Sequence, residues 1–334
     1  MIGEDAYPEN GRFAEQAKFL LRCATLAPSG HNTQPWLFRI GDHTIDLIAD
    51  RRRALPVVDP QDRELVISCG AALGMLEVAT AHFGFLPRTE LFPDPGDPDL
   101  LAHVGLSQKS ENMGATPALF AAIEARRTTR TPFEDVAPPD AVMAKCQAIA
   151  KSRAVAFDVL TGADHRRAVA RLVAQGDCVQ FDDPAFRREL ALWVHSTRLG
   201  SRDGMSGAAF GAPDVLAPLA RFVIRTFDLG EGIAAADEEK IVSDTPMLGL
   251  LSSQTDDQEA WVRAGQALAG ILLELTAAGF TASYLNQPIE VVTLRAELAE
   301  IAGVTGHPQI LLRIGRSETA APASVRRDLA EVIL

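Results

Sequence analysis

Gly70-Ala-Ala-Leu-Gly-Met-Leu-Glu-Val-Ala-Thr-Ala-His-Phe-Gly-Phe85 aligns without gaps on Gly265-Gln-Ala-Leu-Ala-Gly-Ile-Leu-Leu-Glu-Leu-Thr-Ala-Ala-Gly-Phe280, at an offset of 195. Five of the sixteen positions are identical, where composition alone would give roughly one. The same offset pairs Asp62 with Asp257 and Glu64 with Glu259. After each copy comes a short apolar run ending in glycine, Leu101-Ala-His-Val-Gly105 and Leu311-Leu-Arg-Ile-Gly315. A unit that occurs twice predicts an ancestral homodimer fused head to tail, its halves packed as a pseudo-symmetric pair. The competing reading is convergence, since helix caps and small-residue packing also produce similar Gly-Phe endings.

Working outward, residues 65–83 read as a long apolar helix with Asp59-Pro60 as cap and first-turn proline, stopped by Gly84. Residues 12–27 show Phe13, Ala17, Leu20, Leu21 and Ala24 on one helical face, closed by Pro28. Residues 36–40 and 44–49 read as a hairpin around Gly41-Asp42. Polar, turn-rich residues 108–117 mark a seam, which divides the chain into halves at 1–110 and 118–334. In the second half, helices are expected at 117–127, 164–181 and 184–196, and strands at 155–160, 247–252 and 309–314. Thr255-Asp-Asp-Gln258 reads as a capping box before the second long helix. The glycine-dense residues 200–213 suit a lid over a pocket or an ordinary surface connection. The expected class is α+β, with two helix-flanked halves built on mixed or antiparallel sheets.

With 334 residues and 47% hydrophobic content, the chain can bury a sizeable core. A formal net charge of -12 disfavours a broad grip on nucleic acid or anionic membrane, because both need a positive field. Small molecules are the expected partners. No run approaches a membrane span, and Met1-Ile-Gly-Glu-Asp lacks the basic-then-apolar order of a signal peptide, so the expected location is cytoplasmic. Cys23, Cys69, Cys146 and Cys178 lack the spacing of a zinc or redox pair and read as buried thiols. The seven histidines are scattered, and no metal is expected.

Two stretches carry chemistry. Arg126-Arg-Thr-Thr-Arg130 packs three guanidinium groups and two hydroxyls into five residues, a set suited to phosphate; a solvated basic run at a helix C-terminus has the same composition. Ala27-Pro-Ser-Gly-His-Asn-Thr-Gln-Pro-Trp36 gathers small residues with amide and hydroxyl side chains, as a loop against a polar heteroaromatic ring requires. In it Ser29 and Asn32 are candidate ligand contacts, Gly30 permits close backbone approach, and Gln34 is a candidate brace. His31 is either an acid–base group or a structural hydrogen-bonder.

Together these stretches resemble the nitroreductase superfamily, whose members combine an Arg-Arg-Ser-x-Arg motif with Ala-Pro-Ser-x-x-Asn-x-Gln-Pro-Trp. Here the motif order is inverted, as in the Acg-like subgroup of fused two-half proteins. The resemblance implies a nitroreductase-like fold and one FMN held between halves. It places Arg126, Arg127, Thr128 and Arg130 on phosphate and ribityl, and Pro28, Ser29, Gly30 and Asn32 on the opposing loop. Ser283-Tyr-Leu-Asn-Gln-Pro288 matches the segment whose backbone faces the redox edge of the flavin, which selects Leu285 and Asn286. Pro322-Ala-Ser-Val-Arg-Arg327 matches a closing basic motif and adds Arg326 and Arg327. Threonine replaces serine at Thr128 and keeps the hydroxyl. The first half lacks an Arg motif ahead of its helix, and Arg51-Arg-Arg53 lies after the hairpin, so one flavin per chain is expected.

The implied function is an FMN-dependent oxidoreductase. Flavin N5 carries hydride from NAD(P)H to nitroaromatics, quinones or similar acceptors in a ping-pong cycle, with no catalytic side chain required. No GxGxxG fingerprint is present, and the resemblance requires none because the nicotinamide stacks on the flavin. The alternative is a protein that sequesters FMN beneath residues 200–213. A hydrolase lacks support because no GxSxG elbow occurs.

Overall fold

The two copies of the repeat form two long helices, α2 (Arg63–His82) and α9 (Gln258–Ala277), which pack directly on each other at the centre of the molecule. The computed structural model describes residues 3–107, 117–197, 200–207 and 214–334, so the expected seam at 108–117 lies almost wholly outside the described residues. Glycine sets the helix spacing. A Cβ on Gly265 would lie 2.7 Å from Gly70 Cα and closer still to the Ile67 carbonyl oxygen. A Cβ on Gly70 would lie 2.9 Å from Val262 Cα and closer still to the Val262 carbonyl oxygen. Ile67 and Val262 are themselves 195 apart in sequence, so a local pseudo-two-fold passes between the two glycines. Helix α2 is buried along nearly its whole length, from Arg63 to Thr80, as expected of a helix that is apolar all round. By length and composition it could span a membrane; 83% of that window is buried inside the protein.

Each long helix follows the second strand of a four-stranded antiparallel sheet. The first sheet is β1 (Trp36–Ile40), β2 (Thr44–Ala49), β3 (Leu86–Leu91) and β4 (Leu100–Ser107), in the order β1-β2-β4-β3. The second is β5 (Val155–Leu160), β6 (Met247–Ser253), β7 (Thr281–Tyr284) and β8 (His307–Gly315), in the order β5-β6-β8-β7. The orders correspond strand for strand. Both sheets also carry a register shift in the same pairing, at Leu47/Ile48 and at Leu251/Ser252, which bends the strand that feeds the long helix.

The halves differ between their first two strands. A tight turn joins β1 to β2, whereas α5 (Ala163–Asp182), α6 (Pro184–Leu192), α7 (Ala217–Thr226) and α8 (Gly230–Ser243) intervene between β5 and β6. The remaining helices are α1 (Phe13–Ala24), α3 (Pro117–Ala125), α4 (Asp140–Ser152), α10 (Gln287–Glu290), α11 (Val292–Ala302) and α12 (Leu329–Val332). The C-terminal end pairs with the first sheet: Ile333 bridges Phe38, and the Leu334 amide donates to the Phe38 carbonyl at 2.8 Å.

Several local expectations need correction. The N-cap position of α2 is Asp62, left-handed at φ 57°, whose side chain makes no capping bond, while Asp59, upstream of it, accepts from the Leu65 amide at 2.9 Å. The cap of α9 is Asp257, which accepts from the Ala260 amide at 2.9 Å, because Thr255 lies too far upstream to reach an orphan amide. Cys178 is exposed, unlike the other three cysteines. Helices α4, α7, α8, α10, α11 and α12 and strands β3 and β7 were not anticipated; α8 in particular has no strong apolar periodicity to announce it.

Candidate functional site

The Pro-Ser loop begins just beyond α1, where the carbonyls of Thr25, Leu26 and Ala27 lie past the helical ladder and need donors. Arg326, from the C-terminal segment, supplies them. Its Nε donates to Thr25 O at 2.8 Å, and Nη2 to Leu26 O and Ala27 O at 3.0 and 3.2 Å. Across the molecule Arg126 reaches the same turn, Nη2 donating to Leu26 O at 3.4 Å. Beyond Pro28 the loop is strained: His31, Asn32 and Gln34 have φ of 47°, 56° and 53°, a conformation non-glycine residues hold only where surrounding contacts fix it.

Those contacts are visible. Ser29 Oγ accepts from the Gln34 amide at 3.0 Å. Asn32 Nδ2 donates to Gly204 O at 3.0 Å and to Val325 O at 3.2 Å, and its Oδ1 accepts from Arg326 at 3.1 Å. Gln34 braces as expected, donating to Arg202 O at 2.9 Å and accepting from the Arg327 amide at 2.8 Å. Arg327 donates to Gln34 O and Glu331 O at 3.0 and 2.8 Å. Residues 200–207 are thus pinned onto the loop, helped by an ion pair between Asp203 and Arg53.

The Arg motif runs alongside β7. Thr128 bridges Ala282 in parallel, the Thr129 amide donates to Ala282 O at 3.1 Å, and the Thr129 and Thr281 hydroxyls meet at 2.9 Å. Arg313 of β8, fully buried, locks the segment from below. Its Nη2 donates to Thr129 O and Thr131 O at 3.2 and 2.5 Å, and its guanidinium stacks 4.1 Å from the Phe133 ring centroid. Two motifs from different halves therefore converge on one place.

Arginine dominates the charge there, although Asp237 acts on Arg130 and Glu64 on Tyr284. Among the described residues Arg126, Arg130 and Arg326 have no carboxylate in ion-pair contact, and burial lowers the pKa of all three, that of Arg326 to about 9. Arg126 Nε is buried with no partner, as is the Tyr284 hydroxyl. Arg130 is exposed, yet the residues crowded around it desolvate its guanidinium and lower its pKa. Desolvation, then Arg130, pulls His31 down to about 4, so its imidazole is neutral at physiological pH. By contrast Arg51, Arg52 and Arg53 are each paired with aspartates.

Other expected residues lie close by but are engaged. Arg127 Nη1 donates to Glu124 O and Arg126 O at 2.6 and 2.8 Å, at the end of α3. Thr128 Oγ1 accepts from Arg126 at 3.4 Å. Leu285 is buried in the core and its amide donates to Leu311 O at 2.9 Å. Asn286 donates to Glu64 Oε1 at 2.9 Å and accepts from the Leu311 amide at 3.1 Å. Glu64 also lies below Gly30, 3.6 Å from where a Cβ would stand. The sequence reading passed over Tyr284 and Arg313. A clue to Tyr284 was available, because it is one of only two tyrosines in the chain and closes a strand within the quoted segment.

No protein-family model matches the chain. The Mycobacterium tuberculosis H37Rv protein named "Putative NAD(P)H nitroreductase Rv3131" is 34% identical over 324 residues, 96% of this chain and 91% of that protein. The chain belongs to the nitroreductase family. A second relative from the same organism, "Putative NAD(P)H nitroreductase acg", is 29% identical over 94% of both chains, in keeping with an Acg-like nitroreductase. Among solved structures, the FMN and NADPH-dependent nitroreductase NfnB from a Sphigopyxis strain superposes with a TM-score of 0.44 at 20% identity, over 64% of this chain and 97% of that one.

Elsewhere, on α5, this nitroreductase buries an acid. Asp177 of α5 is 2% exposed; burial, then Asp237, pushes it up to about 7, opposed by Gln287 and Lys240. Its Oδ2 and Gln287 Oε1 both lack partners, while Gln287 Nε2 donates to Asp177 Oδ1 at 3.0 Å. An acid whose folded pKa is raised holds a proton that the unfolded chain has released, so stability falls as pH rises from about 4 through 7. Asp177→Asn supplies a neutral amide that can donate to Gln287 Oε1. It is expected to raise stability at pH 8 by about 1–3 kcal/mol while changing little at pH 4. Urea denaturation at both pH values checks this, and an equal change at both contradicts it.

Proposed function

We propose that this chain holds one FMN where the Pro-Ser loop meets the Arg motif and acts as an NAD(P)H-dependent oxidoreductase. One observation carries the reading: Arg126 and Arg130 from the middle of the chain and Arg326 from near its C-terminus converge without a carboxylate in ion-pair contact among the described residues. Burying like charges is unfavourable unless an anion joins them. A phosphate monoester fits, because guanidinium and hydroxyl groups are its natural donors.

Arg126 and Thr128, with Arg127 beside them, would take the phosphate. Arg130 would meet polar atoms further along the ligand, Pro28, Ser29 and Gly30 would line the opposing side, and the backbone of Leu285 and Asn286 would flank the ring. Arg326 and Arg327, which hold the Pro-Ser loop through its carbonyls, keep that wall in place and add positive potential. Bound FMN would supply hydride chemistry that no side chain here can supply. The protein's own contribution is orientation, a positive field and a neutral imidazole at His31. The first half offers no second set of unpaired guanidiniums among the described residues, which supports one flavin per chain. Nitroaromatics, quinones or similar acceptors are the proposed oxidants, in alternation with the nicotinamide that the relatives' names specify.

The hold of residues 200–207 on Asn32 and Gln34 favours a second reading, in which the protein sequesters FMN without turnover. Anaerobic mixing of the FMN-loaded protein with NADPH or NADH separates the two. Bleaching of the flavin absorbance, reversed by a quinone or nitroaromatic, is the expected result. Absorbance unchanged with both nicotinamides sinks the oxidoreductase reading and leaves the sequestering one.

A further inference from the structure

The proposed anion site contains a buried donor that was not among the candidate contacts selected from the motifs. Tyr284 closes β7, and its hydroxyl is buried without a hydrogen-bond partner. An unmade hydrogen bond of this kind costs free energy that phenylalanine would avoid. Its position follows from the pairing of the Arg motif with β7. Thr128 bridges Ala282 in parallel, so Arg130 and Tyr284 each stand two residues beyond the same bridge. Arg126, Arg130 and Arg326 all act on the phenol electrostatically, and Arg126 has its own unpartnered Nε. The next two residues cannot serve, because the Leu285 side chain is buried in the core and Asn286 bridges Glu64 and the Leu311 amide.

We infer that the Tyr284 hydroxyl is the neutral donor of this anion site and contacts the phosphate, so that the chain distinguishes FMN from riboflavin. The inference rests on the FMN reading above. Burial holds the phenol at about 12 against the opposing pull of Arg126 and Arg130, so it stays protonated and keeps its O–H for an anionic oxygen. An O–H donor to phosphate complements the guanidinium forks and adds no further charge to a crowded cationic site. Because Arg326 and Arg127 spend their donors on backbone carbonyls, the unpartnered Tyr284 and Arg126 donors are the ones a phosphate would satisfy.

Titrating the apoprotein with FMN and separately with riboflavin, for the wild type and Tyr284→Phe, tests this. FMN affinity is expected to fall about 10-fold in the variant while riboflavin affinity stays within about twofold. The melting temperature of the variant apoprotein is expected to be unchanged or raised, since an unsatisfied hydroxyl has been removed. Equal losses for both flavins, or a lowered apoprotein melting temperature, would overturn the inference and make the phenol a ring contact or a structural group. A wild type that binds neither flavin removes the FMN reading itself, a result separable from failure of the Tyr284 assignment alone.

Discussion

Gly265→Ala is expected to destabilise the protein by about 2–4 kcal/mol, and Gly265→Val to prevent stable folding. The added Cβ would point at backbone, 2.7 Å from Gly70 Cα and from the Ala71 amide nitrogen, and backbone cannot swing aside as a flexible side chain can. Relief requires α2 and α9 to separate, loosening the apolar contact on both sides of the pseudo-two-fold. Gly70→Ala should cost a similar amount, because its Cβ meets Val262 as that of Gly265 meets Ile67. One separation accommodates both methyl groups, so the double variant should cost less than the sum of the singles by about 1 kcal/mol or more. Urea denaturation of the two singles and the double measures this. Strict additivity would mean that the glycines do not share one crossing.

Replacing Arg126 and Arg130 together by alanine is expected to weaken FMN binding by about 100-fold or more, two charge-assisted contacts having been lost. The apoprotein should not suffer in parallel. Arg126 is buried and Arg130 is exposed beside it, and neither has a carboxylate in ion-pair contact among the described residues, so removing them relieves like-charge repulsion, and the melting temperature without FMN should hold or rise. The flavin content of the purified variant, read from its visible spectrum, is the direct check. Normal stoichiometry would place the phosphate elsewhere.

Much of the architecture was legible because it repeats. The 195-residue offset predicted two equivalent long helices, and the strand orders β1-β2-β4-β3 and β5-β6-β8-β7 bear out an α+β duplication. Both candidate motifs were legible as composition: a loop of small and amide-bearing residues, and a cluster of guanidiniums that net charge alone would not predict in an acidic chain. Less visible were elements without a clean period, such as α8, and caps whose residues depend on backbone geometry, as at Asp62 in its left-handed conformation.

The sequence by itself determined that a unit is duplicated, that its long helices carry small residues at matched positions, and that hydroxyl, amide and guanidinium groups are concentrated in a few short stretches. Those are properties of order along the chain. Which of those groups remain available was decided only by tertiary structure. Arg326, Arg327, Asn32 and Asn286 read as ligand contacts, yet Arg326 and Arg327 spend hydrogen bonds on the Pro-Ser loop, Asn32 on Gly204 and Val325, and Asn286 on the core, whereas Tyr284, not selected as a contact, is left with a buried unpartnered donor. The physical reason is competition for partners. A polar group is free for a ligand only if no partner brought near by folding claims it first, and several of those competitors are distant in sequence: 172 residues for Asn32 with Gly204, 222 for Asn286 with Glu64 and 301 for Arg326 with Thr25.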